Sequence, residues 1–138
     1  MAAISSVTLN DGQATPVAHT FAPLAITGSL AEWADRSSGI AIGYPIMSVN
    51  LRRPLKNGAR VYRCTVKVVV PTLEVTSPST STGIQPAPTK AFDIVFNGDF
   101  LLPERSTKAQ RADIIAYVKN LMANAMIKSL VEDLETVF

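Results

Sequence analysis

Two short segments of this chain alternate so regularly that they leave little choice of local structure. In Ile46 to Arg52, Met47, Val49 and Leu51 are apolar while Ser48, Asn50 and Arg52 are polar. In Arg63 to Val70, Cys64, Val66, Val68 and Val70 are apolar while Arg63, Thr65 and Lys67 are polar. Successive side chains of a strand point to opposite faces, so each segment reads as a strand with one oily and one polar side. Pro54 to Ala59 separates them, and Asn57-Gly58 is the turn signal. Antiparallel pairing then places Ser48, Asn50, Arg52, Arg63, Thr65 and Lys67 on one face, and the opposite face must be covered.

The flanking sequence is also β-like. Ser5–Leu9 and Val17–Phe21 are strand candidates joined through Asn10-Asp11-Gly12, a hairpin signal. Leu24–Trp33 reads as one further strand interrupted by Gly28, and Asp35 to Gly39 as a turn cluster. Pro71 is expected to end the strand that begins near Arg63. Thr72–Thr89, rich in Ser, Thr and Pro, reads as a long loop. Ala91–Leu102 is β-like again, and its Asn97-Gly98 fits either a tight hairpin or a bulge in one long strand. Pro103 closes it.

The tail has a different period. Thr107 to Gln110 has capping-box spacing, and Ile114, Val118, Leu121 and Met122 recur at helical intervals. Ile127, Leu130, Val131 and Leu134 continue the stripe. No Pro or Gly lies between Lys108 and Phe138. One unbroken helix of ~30 residues would be ~45 Å long, too long for so small a domain, so a break is expected near Asn124. Strands followed by helices give an α+β chain whose helical stripe would roof the oily sheet face.

Charge points to the partner. The formal net charge is only +2, yet Arg36 to Leu73 contains no Asp or Glu and carries Arg36, Arg52, Arg53, Lys56, Arg60, Arg63 and Lys67. A locally basic segment in a nearly neutral chain suggests an anion held on one surface, so the polar face reads as a nucleic-acid platform. The chain is 138 residues long, 47% hydrophobic and 17% charged, a folded composition sized for a single domain. No run approaches the ~20 apolar residues of a membrane helix, and no signal peptide is read at the start. Cys64 is the lone cysteine and reads as a small hydrophobe in a strand.

The order of these features resembles the coat proteins of the small single-stranded RNA phages, the levivirus type. The resemblance rests on Leu30-Ala31-Glu32-Trp33, on Met47-Ser48-Val49-Asn50, and on Arg63 through Pro71 before the Ser/Thr/Pro loop. It extends through Phe96-Asn97-Gly98-Asp99-Phe100 with Pro103, then Ser106-Thr107 through the terminal Phe138. It implies an N-terminal β-hairpin (residues 1–22), a five-stranded antiparallel sheet (23–103, with the loop at 72–89) and two C-terminal helices (104–138), all one coat-protein domain. Two subunits would join into an intertwined dimer with a ten-stranded sheet, and dimers into an icosahedral T=3 shell, the long loop serving contacts around its symmetry axes. The expected partners are the chain itself and single-stranded genomic RNA, with no membrane and no cofactor. The expected locations are the virion and, during assembly, the bacterial cytoplasm.

The positions matching the family's RNA-contacting residues are Ser48, Asn50, Arg63, Thr65, Lys67, Asn97 and Asp99. Arg63 and Lys67 suit phosphate oxygens, and Ser48, Thr65 and Asn97 suit exposed base edges. Three departures bear on recognition of one specific hairpin, and so on a translational-repressor role. Val95 stands where a base-stacking aromatic is expected, Ile46 replaces a hydroxyl residue, and the turn between Asn50 and Arg63 is long. The alternative is a dimeric RNA-binding regulator without a shell.

The remaining residues carry bland readings. His19, the lone histidine, reads as a surface or interface residue, and no Cys/His cluster suits zinc. Asp93, Asp99 and Glu104 alternate with apolar residues as a strand would, and no nucleophile or phosphate-loop motif appears, so no enzymatic activity is expected. Trp33 reads as packing at a sheet boundary. Lys108, Arg111 and Lys119 read as the solvated face of the first helix.

Overall fold

The computed structural model describes residues 2–75, 83 and 86–138. Six strands run in sequence order across one sheet: β1 (Val7–Asn10), β2 (Ala18–Thr27), β3 (Leu30–Ala34), β4 (Ile46–Arg52), β5 (Val61–Leu73) and β6 (Lys90–Pro103). Helices α1 (Lys108–Met122) and α2 (Ala125–Glu132) follow. The chain forms two compact units, residues 1–101 and 102–138. The α+β class is as expected, but the sheet has six strands rather than five. The difference lies in β2, which pairs with β1 over Ala18–Phe21 and then with β3 over Ala22–Thr27, with a register shift between Pro23 and Ala25. The expected hairpin is therefore continuous with the sheet, and β1 is the added strand.

Leu24–Trp33 is two strands rather than one. Thr27 pairs with Leu30, leaving Gly28-Ser29 as a two-residue loop, and Gly28 has φ +63°. A positive φ at the first loop position suits a tight hairpin and is open to glycine at little cost. Pro71 does not end β5, which continues to Leu73. The last β4 partner is Val69, opposite Ile46, so the N–H that Pro71 lacks is not missed by β4. Past the strand end the Glu74 N–H donates to the Thr89 carbonyl at 2.9 Å. The rest of the expected loop, residues 76–82 and 84–85, lies outside the described residues.

β6 is one 14-residue strand, which resolves the Asn97-Gly98 ambiguity in favour of continuity. Gly98 is needed for closeness: a Cβ there would sit 2.9 Å from Cζ of Phe96, two residues away on the same side. The alternation sorts the sheet into two faces. Ala31 and Val49, Trp33 and Met47, and Met47 and Val68 are paired neighbours on the oily side, with Val49 opposite Val66 and Leu51 opposite the half-buried Cys64. Most of these side chains are half-buried, and Leu51 is exposed. Among the described residues only Phe21, Trp33 and Ala34 are buried apolar side chains, and Phe92, Ile94 and Phe96 are 55%, 63% and 47% exposed. Trp33 also donates its indole N–H to the Ser5 carbonyl at 2.8 Å, holding the N-terminal segment.

The helical unit forms as its capping residues dictate. Thr107 and Gln110 make a reciprocal capping box, with the Gln110 N–H reaching Thr107 Oγ1 at 3.2 Å and the Thr107 N–H reaching Gln110 Oε1 at 2.9 Å. Arg111 folds back to donate to the carbonyl and hydroxyl of Ser106, so it serves the helix start instead of extending into solvent. The expected break falls where Asn124 caps α2 by accepting from the Met126 N–H at 2.9 Å, and the helices bend there by 60°. No residue of either helix is buried. Among the described residues no single helix is long and apolar enough to cross a membrane.

Candidate nucleic-acid interface

The register of β4 on β5 builds the polar face directly. Ser48 lies opposite Lys67, Asn50 opposite Thr65, and Arg52 opposite Arg63. The five strand residues singled out by alternation and resemblance on β4 and β5 are therefore brought together as cross-strand neighbours. β6 adds the sixth and seventh. Asp99 accepts hydrogen bonds from the Arg63 guanidinium and, at 2.5 Å, from Thr65 Oγ1. Asn97, two residues earlier in the same strand, shares that face.

The ion pair changes the electrostatics expected from sequence. Hydrogen bonds from Arg63 first, then Thr65, hold the Asp99 carboxyl below its ordinary 3.8, and Asp99 in turn raises the Arg63 pKa. Both groups stay ionised near neutral pH, and Asp99 offsets part of the charge that Arg63 presents. Glu32 pairs with Ser48 from the other side and adds a second carboxylate to the face. Lys67 is exposed and makes no ion pair among the described residues. Ser29 donates to Asn50 Oδ1 at 2.6 Å, so the Asn50 carbonyl oxygen is engaged while its NH₂ is a free donor for a ligand.

Sequence reasoning put Arg52 on this face but left it out of the residues matched to RNA contact, and it named only the charge of Arg53. With Arg63 they line a hollow of about 230 Å³ completed by Pro54, Leu55, Ala59 and Leu101. Two arginines directly opposite on paired strands repel unless an anion lies between or beside them. The signal was present in the sequence, since Arg52 has the same parity as Ser48 and Asn50. The three departures also have positions. Val95 is exposed and on the parity of Asn97 and Asp99, Ile46 faces Ala34 and Val69, and residues 53–60 form the connection between β4 and β5.

A second polar cluster was not foreseen. His19 on β2 lies between two carboxylates, with Nδ1 2.9 Å from Asp35 Oδ2 and Nε2 3.3 Å from Asp11 Oδ2. Asp35 is only 3% exposed. The reading of His19 as a surface or interface residue did not include this bridge, which its part-exposed ring makes.

The comparisons with known proteins agree with this architecture. The sequence matches the levivirus coat protein family over residues 2–138. It is 32% identical over 127 residues to the capsid protein of Pseudomonas phage PRR1, covering 91% of both chains. The fold is similar to that of the virus-like particle of bacteriophage ESE058, with a TM-score of 0.91 at 31% identity over 99% of this chain and 100% of the other. It is likewise similar to the virus-like particle of bacteriophage NT-214, with a TM-score of 0.84 at 27% identity over 99% and 100% of the two chains. These relatives are structural capsid proteins, and the family is not known for enzymatic activity. The order of strands and helices, the two-sided sheet and the match along nearly the whole chain lead to one conclusion: this chain belongs to the levivirus coat protein family.

Proposed function

We propose that this coat protein dimerises edge to edge, assembles as dimers into an icosahedral shell, and holds single-stranded genomic RNA on the polar face of its sheet. The observation that carries the proposal is what the isolated chain leaves open. A core of Phe21, Trp33 and Ala34 is too small to offset the conformational entropy of ordering the chain. The oily side chains of β4 and β5 are at most half-buried, no residue of either helix is buried, and β6 is the outermost strand of the sheet. A long bare edge carrying Phe92, Ile94 and Phe96 is a template for pairing. Pairing β6 with its own copy about a twofold closes the β6 edge of each subunit and joins β2–β6 of both into ten strands, with β1 added at either end. The helical tails then have an oily surface on the partner to cover, and the folded state depends on association.

The RNA reading rests on the cross-strand rows. Lys67, Arg52 and the partly neutralised Arg63 supply charge for phosphates, and the hollow beside them brings Arg52, Arg53 and Arg63 together. Ser48, Asn50, Thr65 and Asn97 supply hydrogen bonds for unstacked bases. The exposed Val95 has no ring on which a base can stack, which favours general genome binding over tight recognition of one repressor hairpin. The site of action is the virion, with assembly in the host cytoplasm.

Size-exclusion chromatography and electron microscopy of the expressed chain test the assembly reading. Void-volume particles that contain RNA are expected. A fixed soluble dimer under all assembly conditions would instead support a regulator that binds RNA without a shell.

A further inference from the structure

The His19 cluster is not used by any of the roles above, yet it ties together two parts of the sheet unit distant in sequence. Asp11 sits in the turn of the N-terminal hairpin, where its Oδ1 accepts from the Val17 N–H at 2.9 Å and the Gln13 N–H at 3.3 Å. Asp35 follows β3, accepts from the Ser37 N–H at 3.0 Å, and is fixed by its own N–H to the Pro45 carbonyl at 3.0 Å. Among the described residues His19 is the only side chain bonded to both. The adjoining hollow is lined otherwise by Leu9, Asn10, Phe21, Pro45 and Val70, so among the described residues that line it Asp11 and Asp35 are the only titratable groups beside the ring.

We infer that His19 is a proton-operated clasp: doubly protonated, it fastens the hairpin tip to the sheet through both carboxylates, and on losing a proton it releases the tip. A neutral imidazole carries a single N–H and can donate to only one of them. The buried Asp35 has the greater need of a donor, so the neutral ring keeps Nδ1–H on Asp35 and lets go of Asp11 at Nε2. The turn then loses its side-chain link to β2, while the bonds from the Val17 and Gln13 N–H groups to Asp11 Oδ1 stay. The Trp33–Ser5 bond, which holds the N-terminal segment ahead of β1, carries no titratable group and stays as well.

The direction follows from the charges. Bonds to Asp35 first and Asp11 second raise the His19 pKa above 6.5, against the opposing effect of burial. A raised folded-state pKa means that the clasp is fully formed below about 6.5 and is lost as pH climbs through the higher folded value. The Val17 N–H first, then the Gln13 N–H and His19, hold Asp11 below 3.8 against the opposing effect of burial. Burial pushes Asp35 upward, but Ser37 and His19 outweigh it and leave it below 3.8 as well. The carboxylate contributions are therefore present above about 3.8 and fade only on strong acidification. The clasp is closed between these limits.

Hydrogen-exchange mass spectrometry on the assembled full-length chain, corrected for intrinsic rates, tests it across about pH 5 to pH 9. In the unsubstituted protein, peptides covering Asn10–Ala18 should exchange about fivefold faster or more above a midpoint higher than 6.5. The Ser5 segment should show no such step. His19→Gln should abolish the step. Asp11→Asn, in an exposed turn whose backbone bonds asparagine preserves, should lower its midpoint. The inference is overturned if the unsubstituted hairpin shows no step, or if the same step persists unshifted in either variant.

Discussion

Replacing Lys67 with alanine is the sharpest probe of the polar face, because its effect can be worked out beforehand. Lys67 is exposed, lies across from Ser48, and makes no ion pair among the described residues, so its charge is wholly available to a ligand. For single-stranded nucleic acid the slope of log K against log salt is about −0.7 per phosphate neutralised, so losing one contact in each of two subunits flattens it by about 1.4. Between about 50 and 200 mM salt that difference amounts to roughly sevenfold: the variant binds more weakly at low salt and loses correspondingly less as salt rises. Asp99→Asn is the counterpart. It removes the carboxylate that partly neutralises Arg63 while leaving an oxygen for Thr65 Oγ1, so binding and its salt slope should both increase. Fluorescence anisotropy of an unstructured RNA oligonucleotide with RNA-free protein measures both. An unchanged slope in Lys67→Ala would show that the RNA lies elsewhere, and a weaker, flatter response in Asp99→Asn would show that Asp99 itself makes the contact.

Two further expectations concern folding. Gly28→Ala places a Cβ at φ +63° and should destabilise the assembled protein by about 1–2 kcal/mol, read as a lower midpoint in denaturant with RNA binding per folded molecule unchanged. Thr107→Ala removes the oxygen that accepts the Gln110 N–H and should cost about 1 kcal/mol, whereas Thr107→Ser should restore nearly all of it. Equal melting of the alanine and serine variants would deny the cap any role.

Much of this molecule can be read from its sequence, and the reasons are local. The alternation in Ile46–Arg52 and Arg63–Val70 places residues on faces because the strand period is fixed, and the capping box announces α1 because two side chains satisfy two backbone donors within four residues. What stayed hidden depends on distant partners. Gly28 interrupts a β pattern whether it makes a bulge or a turn, and only the pairing of Thr27 with Leu30 shows the turn. Asn97-Gly98 is a strong local turn signal that the long strand overrides. Pro71 reads as a natural terminator until β4 is seen to end its pairing at Val69. The ion pair from Arg63 to Asp99 spans 36 positions, and the His19 bridges span 8 and 16, separations at which no motif signals contact. The long loop's place in the assembly involves residues 76–82 and 84–85, outside those described.

The central claim is that this sheet, oily on one side and open along β6, is completed only by a second copy. Native mass spectrometry of the RNA-free chain over a dilution series measures this most directly. The account predicts compact dimers that dissociate only into unfolded, highly charged monomers. A compact, folded monomer persisting at low concentration would contradict it.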